Sequence, residues 1–258
     1  MPAPVNPLKQ ALARGRVQIG FWQAMASPVV AEISAHAGFD WLLLDAEHGP
    51  NTLSTLLAQL QAMNGAPAVP VVRPPVGQDW VVKQMLDLGA QSFLIPMIDT
   101  AEQAAAAVAM LRYPPEGVRG VGAALARASG YNAIPDYVAS ANEQICVIIQ
   151  AESRVALENL DAILAVGGVD GVFIGPADLA ADMRRAGAVS DAGVEAAIEA
   201  ALGRISESGK AAGIIAFEAD LAQRYLKLGA RMLAVGGDVT LFGEAARDLA
   251  AAFRGWTA

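Results

Sequence analysis

Short apolar runs alternate along the chain with segments whose apolar residues recur at helical spacing. Such runs are typical of strands buried on both faces, and the i, i+3, i+4 spacing is typical of amphipathic helices. The predicted strands are Gln18–Trp22, Trp41–Asp45, Val69–Arg73, Ser92–Pro96, Ile145–Ala151, Gly171–Ile174, Gly213–Ala216 and Met232–Val235. The predicted helices are Thr52–Met63, Gln78–Leu88, Ala101–Leu111, Ser153–Val166, Asp191–Ser208, Glu218–Leu228 and Thr240–Phe253. This alternation predicts parallel strands joined by helical crossovers.

The length of the chain favours one closed barrel over two smaller domains. Its 258 residues match a single (β/α)8 TIM barrel, and the strand candidates are numerous enough to close it. We therefore expect an α/β fold with one domain over residues 1–258. The C-terminal helix needs a partner for its apolar face, which another subunit can provide. The long segment Tyr113–Tyr137 is expected to be a loop over an active site, with a decorative insertion as the alternative.

Composition and charge exclude several classes of protein. No apolar stretch is long enough to span a membrane and the N-terminus lacks the apolar run of a secretory signal, so we expect a cytosolic protein. The net charge of −8, without a cluster of Lys or Arg, argues against nucleic acid and anionic membranes as partners. The single cysteine, Cys146, lies in an apolar run and is expected in the core.

The segment LLLDAEHGP, residues 42–50, places two carboxylates and a histidine directly after a predicted strand. Asp45 ends the strand, and Glu47 and His48 follow it. The carboxyl ends of parallel strands are where barrels assemble active sites, and an imidazole can move protons near neutral pH. The alternative is that His48 caps the helix that begins near Thr52.

Other predicted strand ends also carry polar or charged side chains. In a closed barrel all of these ends face one mouth, so residues distant in sequence become neighbours. The ends carry Trp22, the group Asp45, Glu47 and His48, Arg73, Pro96, Gln150 with Glu152, the turn Gly175–Asp178, Phe217 and Gly236–Gly237. Buried charges need partners or a ligand, so we expect a polar site at this mouth.

Glu152 and Asp178 follow neighbouring strands and are candidate ligands for a hard divalent cation, which prefers oxygen ligands. The simpler interpretation places each carboxylate in the first turn of a helix, where the helix dipole favours it. A zinc site built from thiolates or several histidines is excluded, because the chain has one Cys and two His.

Together these groups describe a site that forms and stabilises an enolate. A cation would act as a Lewis acid on an α-keto acid, His48 would move protons, and Arg73 would neutralise charge that develops on oxygen. The competing route through a Schiff base needs a desolvated lysine, and the lysines (Lys9, Lys83, Lys210 and Lys227) fall in predicted helices or tails. We therefore expect a divalent metal and no organic cofactor.

Several long motifs identify the family that the chain resembles. They are DWLLLDAEHGPN (Asp40–Asn51), VVRPP (Val71–Pro75), KQMLDLGAQSFLIPMIDTAEQA (Lys83–Ala104), YPPEGVRGVG (Tyr113–Gly122), IIQAES (Ile148–Ser153) and GVDGVFIGPADLA (Gly168–Ala180). In this order, they resemble the HpcH/HpaI family of class II, metal-dependent pyruvate aldolases, which includes 4-hydroxy-2-oxoheptanedioate and 2-dehydro-3-deoxyglucarate aldolases. The resemblance implies reversible cleavage of 4-hydroxy-2-oxo acids to pyruvate and an aldehyde through a metal-stabilised enolate.

The resemblance also implies how the chain would bind metal and substrate. Glu152 and Asp178 would hold the cation, which could be Mg²⁺, Mn²⁺, Co²⁺ or Zn²⁺. Gln150 and the backbone at Ala177 would hold pyruvate. From its position at the mouth, we expect Phe217, together with the segment Val121–Tyr131, to contact the aldehyde half.

The same resemblance implies catalytic roles around the histidine. His48 would be the base, oriented by Asp45 and made more basic by Asp87. Arg73 would stabilise the enolate and the transition state, and Glu47 would hold metal-bound water.

The resemblance further implies a homohexamer, a trimer of dimers, in which the last helix is exchanged. Because Asp87 lies in a predicted helix, we expect a neighbouring subunit to supply it, with a solvated surface charge as the alternative. Other functions stay open: a CoA-thioester lyase of the citramalyl or malyl type, a phosphoenolpyruvate mutase-like enzyme, and a non-catalytic keto-acid-binding barrel. A CoA lyase should cluster basic residues for the CoA phosphates, which this chain does not. The family pattern would place a bulkier aromatic near Ser129 or Gly130 than the stretch Val121–Tyr131 (VGAALARASGY) has, so the aldehyde is not identified.

Overall fold

Eight short segments form one parallel sheet that closes on itself. The strands are β1 (Gln18–Gln23), β2 (Trp41–Asp45), β3 (Val69–Arg73), β4 (Ser92–Ile95), β5 (Cys146–Ala151), β6 (Gly171–Ile174), β7 (Ala211–Ile215) and β8 (Ala230–Gly237). In the computed structural model, which describes residues 1–254 and 256, each strand pairs with the next and β8 pairs with β1. The predicted (β/α)8 barrel is confirmed.

Helices connect the strands and cover the outside of the barrel. They are α1 (Pro7–Ala13), α2 (Pro28–Ala35), α3 (Leu53–Ala62), α4 (Asp79–Asp87), α5 (Ala101–Met110), α6 (Tyr137–Ala141), α7 (Arg154–Glu158), α8 (Leu160–Leu164), α9 (Pro176–Asp182), α10 (Ala192–Glu207), α11 (Ala219–Lys227) and α12 (Asp238–Arg254). The segment predicted as one helix over Ser153–Val166 forms α7 and α8. The break lies at Asn159, whose backbone leaves helical geometry and whose side-chain amide donates to the Asp99 carbonyl at 2.9 Å. Among the described helices, none is long and apolar enough to cross a membrane.

Some elements are absent from the sequence-based prediction because their apolar signal is weak. Helices α1 and α2 are short, although Pro7 and Pro28 at their starts follow the N-caps Asn6 and Ser27. Strand β7 begins at Ala211, two residues before its predicted start, because small side chains give little hydrophobic pattern.

The strand side chains alternate between two layers of core. On β2, Leu42 packs toward the helices, whereas Trp41 and Leu43 point into the barrel. Leu8 of α1 joins the interior layer, so α1 closes the amino end of the barrel. The same layer contains Cys146, whose burial raises the pKa of the thiol, as expected of a core cysteine.

The segment predicted to cover the active site lies against the amino end of its own barrel instead. Arg127 donates from Nη1 to the carbonyl of Leu88 at 2.8 Å and from Nη2 to that of Leu60 at 3.3 Å. These carbonyls end α4 and α3, which run from the mouth to the amino end. Arg127 therefore caps two helices of its own chain because their last carbonyls lack partners within the helix.

Helix α12 leaves most of its apolar side chains uncovered within one chain. Leu241, Phe242 and Leu249 are exposed, and Asp238 is the buried residue of the helix. Asp238 accepts hydrogen bonds from the backbone amides of residues 24 and 25, at 2.9 and 3.0 Å, and thereby ties the start of α12 to the end of β1. Exchange of α12 between subunits stays a prediction.

We predict opposite effects of alanine at two glycines. A Cβ on Gly20 would lie 2.0 Å from the Trp41 ring inside the barrel, whereas a Cβ on Gly203 in α10 meets nothing within 4 Å. Gly20→Ala should lower the free energy of unfolding by at least about 1–3 kcal/mol through overpacking. Gly203→Ala should raise it by roughly 0.5–1 kcal/mol, because alanine favours the helix. Urea titrations measure both, and an unchanged midpoint for Gly20→Ala would contradict the packing of the barrel interior.

Candidate active site

The carboxyl ends of the strands surround a cavity of about 530 Å³. Its lining includes Trp22, Asp45, His48, Arg73, Gln150, Phe173, Ala177, Asp178, Ile215 and Phe217. Glu47 lines a neighbouring cavity of about 310 Å³. Most of the predicted site residues are thus brought together at the mouth of the barrel.

Asp45 and Arg73, which both line the larger cavity, form an ion pair. The two residues are register partners at the ends of β2 and β3. Arg73 donates from Nε to Asp45 Oδ1 at 2.9 Å and from Nη2 to Oδ2 at 2.6 Å, and both side chains are buried. Burial alone would raise the pKa of Asp45, but the hydrogen bonds and charge of Arg73 hold it below its ordinary value. Asp45 is therefore ionised at neutral pH.

Polar contacts continue from this pair to Glu152. Arg73 Nη1 lies 2.9 Å from Glu47 Oε2 and 3.4 Å from Gln150 Oε1. Gln150 donates from its Nε2 to Glu152 Oε2. Burial raises the pKa of Glu47, and the charge of Arg73 offsets part of that rise. The Gln150 amide thus connects the Arg73 guanidinium to a third carboxylate, that of Glu152, through its oxygen on one side and its nitrogen on the other.

Glu152 is buried and has only neutral hydrogen-bond donors among the described residues. Its Oε1 accepts from the backbone N–H of Met97 at 2.9 Å, and its Oε2 accepts from Gln150. Burial, together with the nearby charges of Asp178 and Glu47, raises the pKa of Glu152 to about 7. A buried carboxylate in such surroundings needs a positive charge to remain ionised.

The surroundings of Glu152 fit a divalent cation as that positive charge. Asp178 lines the cavity from the first turn of α9, and a Cβ on Gly175 would lie 2.7 Å from Glu152 Oε2, so the glycine leaves room for this carboxylate. Within the described residues, no third His, Cys, Asp or Glu joins them in a cluster. Mg²⁺ is commonly held by one or two carboxylates, with water and substrate oxygens completing its coordination.

The simpler helix-dipole interpretation applies to one of these two carboxylates. Asp178 does occupy the first turn of its helix. Glu152, in contrast, precedes Ser153, the N-cap of α7, and lies outside the helix. Its position at the end of β5 is therefore not explained by helix stabilisation.

His48 follows β2 and its imidazole is accessible at the mouth. The ring is 69% exposed, with Nε2 3.9 Å from Glu47 Oε2. Asp45 accepts from the backbone N–H of His48 at 3.3 Å, so Asp45 positions the loop through its backbone rather than through the imidazole. The helix-cap interpretation of His48 is wrong, because Thr52 is the N-cap of α3 and forms a capping box with Thr55.

Asp87 lies away from this cavity within a single chain. It is the last residue of α4, and its Oδ1 accepts from Arg119 Nη2 at 2.8 Å. Because α4 ends at the amino end of the barrel, Asp87 is far from His48 of the same chain. Its predicted effect on His48 requires a neighbouring subunit and stays a prediction.

Met97, whose backbone binds Glu152, is not among the site residues predicted from the sequence, and Trp22 is expected at the mouth without a stated role. Trp22 donates from its indole Nε1 to Asp45 Oδ2 at 3.1 Å, and its ring centre lies 5.0 Å from Arg73 Cζ. Met97 has a left-handed backbone, with φ of 58°, and presents its N–H to Glu152. The position of Trp22 at a strand end predicts its place at the mouth but not these contacts with Asp45 and Arg73. No sequence pattern marks Met97, because a left-handed residue with a side chain is uncommon.

A parallel barrel with a buried arginine and several carboxylates at its mouth defines an enzyme-like site for small oxygen-rich substrates. Residues 18–245 match the family described as HpcH/HpaI aldolase/citrate lyase. The chain therefore belongs to this family, which confirms the resemblance found in its motifs.

Individual relatives match the chain over nearly its whole length. The hydroxypyruvate/pyruvate aldolase of Agrobacterium fabrum is 53% identical, and the match covers 100% of this chain and 97% of the relative. The 4-hydroxy-2-oxo-heptane-1,7-dioate aldolase of Escherichia coli is 55% identical, with 96% and 95% covered. The crystal structure of a family member from Burkholderia cenocepacia has a TM-score of 0.93 at 38% identity and covers 97% of this chain and 100% of that one. These matches support an aldolase function and do not favour the CoA-lyase or binding-protein alternatives.

We predict that the metal-free protein loses stability as the pH rises toward neutrality. The pKa of Glu152 is raised from 4.5 to about 7, so the folded state binds this proton more tightly than the unfolded state. The stabilisation that this proton provides is complete below the unfolded-state pKa of 4.5 and is lost as the pH rises through the folded-state pKa of about 7. Urea unfolding in the presence of a chelator should therefore show the free energy of unfolding fall by about 3 kcal/mol over this pH range, because one pKa unit corresponds to 1.36 kcal/mol.

Two variants test the origin of this loss. Glu152→Gln should abolish it, whereas Glu158→Gln, at an exposed position on α7, should retain it. Identical pH dependence in the wild type and Glu152→Gln would show that Glu152 is not the group responsible.

Proposed function

We propose that the chain is a class II pyruvate aldolase that reversibly cleaves 4-hydroxy-2-oxo acids into pyruvate and an aldehyde. The observation that carries this proposal is the buried Arg73, which is held by Asp45 and Glu47 and lines the same cavity as Asp178. Negative charge that develops on an enolate oxygen is best stabilised by a positive group that is already oriented. The family and the names of the relatives support this function.

In the direction of cleavage, a base removes the proton of the C4 hydroxyl. The C3–C4 bond then breaks, C4 becomes the carbonyl carbon of the aldehyde, and the electron pair passes into the enolate of pyruvate. Protonation of C3 gives pyruvate, and the reverse sequence forms the bond. His48 is our candidate for the base, because its ring is accessible at the mouth and lies near the acidic Glu47.

Arg73 would stabilise the enolate oxygen with little reorganisation. Its Nε and one N–H of Nη2 bind Asp45, and Nη1 faces Glu47 and Gln150. Among the described residues, the second N–H of Nη2 has no partner, so a substrate oxygen can accept it. Gln150 and the backbone at Ala177 line the cavity and would hold the pyruvate half.

Glu152 and Asp178 would hold the divalent cation, which could be Mg²⁺, Mn²⁺, Co²⁺ or Zn²⁺. When bound, this cation supplies Lewis-acid stabilisation of negative charge on the substrate. Glu47 would accept a hydrogen bond from water at the site. The reaction requires no organic cofactor.

We also propose a homohexamer, a trimer of dimers, with α12 exchanged between subunits and Asp87 acting on His48 of a neighbour. The exposed apolar residues of α12 support this assembly. A cytosolic location stays a prediction.

Removal of metal should abolish activity reversibly. We expect pyruvate release from 4-hydroxy-2-oxo acids to stop after EDTA treatment and to return with Mg²⁺ or Mn²⁺, because Glu152 then regains its counter-charge. A coupled assay for pyruvate measures both states. The same protein carried through the treatment without EDTA is the control, and full activity in excess chelator would refute metal dependence.

Substitution of Arg73 should reduce turnover more than stability. Arg73→Ala would leave Asp45 buried without its counter-charge, at a cost of about 3–5 kcal/mol, so Arg73→Lys is the better variant. Lysine keeps the charge but loses the bidentate geometry, and kcat should fall by about 10²–10³. Arg154→Lys, whose pair with Asp182 lies on the surface, should turn over normally. Normal turnover by folded Arg73→Lys would exclude this role.

A further inference from the structure

Met97 has a backbone conformation that its own side chain does not explain. Its φ of 58° lies in the left-handed region, which residues with a side chain seldom adopt. The side chain is 60% exposed, so its packing does not hold the backbone there. A conformation of this kind persists only where the surrounding contacts impose it, and such residues cluster at functional sites. The contacts of the Met97 backbone therefore indicate what the conformation serves.

The turn that contains Met97 is held against the end of β5 and the start of α7. The backbone N–H of Ile98 donates to the Gln150 carbonyl at 3.3 Å, and the Ile98 side chain is buried. The carboxylate of the next residue, Asp99, accepts a hydrogen bond from the Ser153 hydroxyl. These contacts anchor the chain that follows Met97.

The φ of Met97 sets the orientation of its N–H relative to the anchored chain. At 58°, the Met97 N–H reaches Glu152 Oε1 at 2.9 Å while the Ile98 N–H reaches the Gln150 carbonyl. Rotation about the N–Cα bond turns these two N–H groups relative to each other, so a φ in the usual negative range would not satisfy both acceptors. Because Ile98 and Asp99 are anchored, the Met97 N–H is the group that would turn away from Glu152.

Neutral donors orient both oxygens of the Glu152 carboxylate. Its Oε1 accepts from Met97 and its Oε2 accepts from the Gln150 amide, so the plane of the carboxylate is fixed before a cation binds. Each carboxylate oxygen has two lone pairs and can therefore still bind a cation. Hydrogen bonds that orient a metal ligand commonly contribute about 10- to 100-fold to metal affinity.

We infer that Met97 is a positioning residue for the divalent cation, because its left-handed backbone presents the N–H that orients Glu152 as a metal ligand. This inference rests on the proposed function, which assigns the cation to Glu152 and Asp178. It adds the turn after β4 to the elements that determine metal affinity. The Met97 side chain has no part in this role, so replacements of Met97 should differ by the backbone that they allow.

Two replacements of Met97 separate the backbone from the side chain. Glycine adopts a positive φ readily, so Met97→Gly should keep the hydrogen bond to Glu152. Valine is strongly disfavoured at such a φ because its Cβ is branched, so Met97→Val should lose it. The Kd for Mn²⁺ can be measured on metal-free protein from the EPR signal of free Mn²⁺. It should rise about 10- to 100-fold in Met97→Val and stay within about threefold of the wild type in Met97→Gly.

Asn132→Val is the matched control for strain at a left-handed residue. Asn132 has a φ of 72°, is exposed, and lies in the segment packed against the amino end of the barrel. Its replacement by valine should leave the Kd for Mn²⁺ unchanged. The stoichiometry of each titration gives the fraction of protein that binds, so the Kd does not depend on the amount of folded protein.

The wild type and Glu152→Gln separate this inference from the proposed function. The wild type should bind Mn²⁺, and Glu152→Gln should lose most of this binding. A wild type that binds no Mn²⁺, or Glu152→Gln that binds it as tightly, would refute the proposed metal site and the inference with it.

Where the wild type binds Mn²⁺ through Glu152, the other variants judge the inference alone. An unchanged Kd in Met97→Val would overturn it. Equal increases in Met97→Val and Met97→Gly would attribute the effect to the side chain and would overturn it as well. So would an equal increase in Asn132→Val, because the effect would then not depend on contact with Glu152.

Discussion

The ion pair between Asp45 and Arg73 is the interaction on which the rest of the site depends. Two buried charges are stable only when their geometry is good and further hydrogen bonds satisfy them. Here the register of β2 and β3 places the residues side by side, and Trp22 donates to the carboxylate as well. A slip of one residue between these strands would turn one of the side chains out of the barrel. The chemistry of the mouth therefore depends on the same pairing that closes the sheet.

The balance of charge around this pair explains why a cation suits the site. Asp45, Glu47, Glu152 and Asp178 supply four carboxylates, and Arg73 is the guanidinium nearest them. Arg73 satisfies Asp45 and part of Glu47, which leaves Glu152 with neutral donors and a raised pKa. A divalent cation between Glu152 and Asp178 would restore the balance. The Gln150 amide lies between Arg73 and Glu152 and is hydrogen-bonded to both. Arg73 can therefore keep Asp45 and Glu47 as its partners, while Glu152 would serve the cation.

The barrel and most of its site could be predicted from the sequence because both follow from local pattern. Apolar runs such as β2 mark the strands, and the rule that strand ends share one mouth brings Asp45, Arg73 and Asp178 together. What escaped prediction depends on contacts distant in sequence. The left-handed backbone of Met97 and the location of Arg127 at the ends of α3 and α4 are set by packing that no short segment encodes.

The polar and the apolar residues that line the cavity also differ in how freely they can change. The groups proposed for chemistry lie at the ends of strands, and Arg73 and Glu152 are linked through Gln150, so a substitution in one disturbs the others. Val189 and Leu221 also line the cavity, but they lie on the α9–α10 loop and on α11, outside the sheet, and take no part in those hydrogen bonds. Substitutions there can alter the apolar lining of the cavity without altering the register of β2 and β3. A barrel of this design can therefore keep the polar groups at its mouth while the apolar lining of the cavity changes.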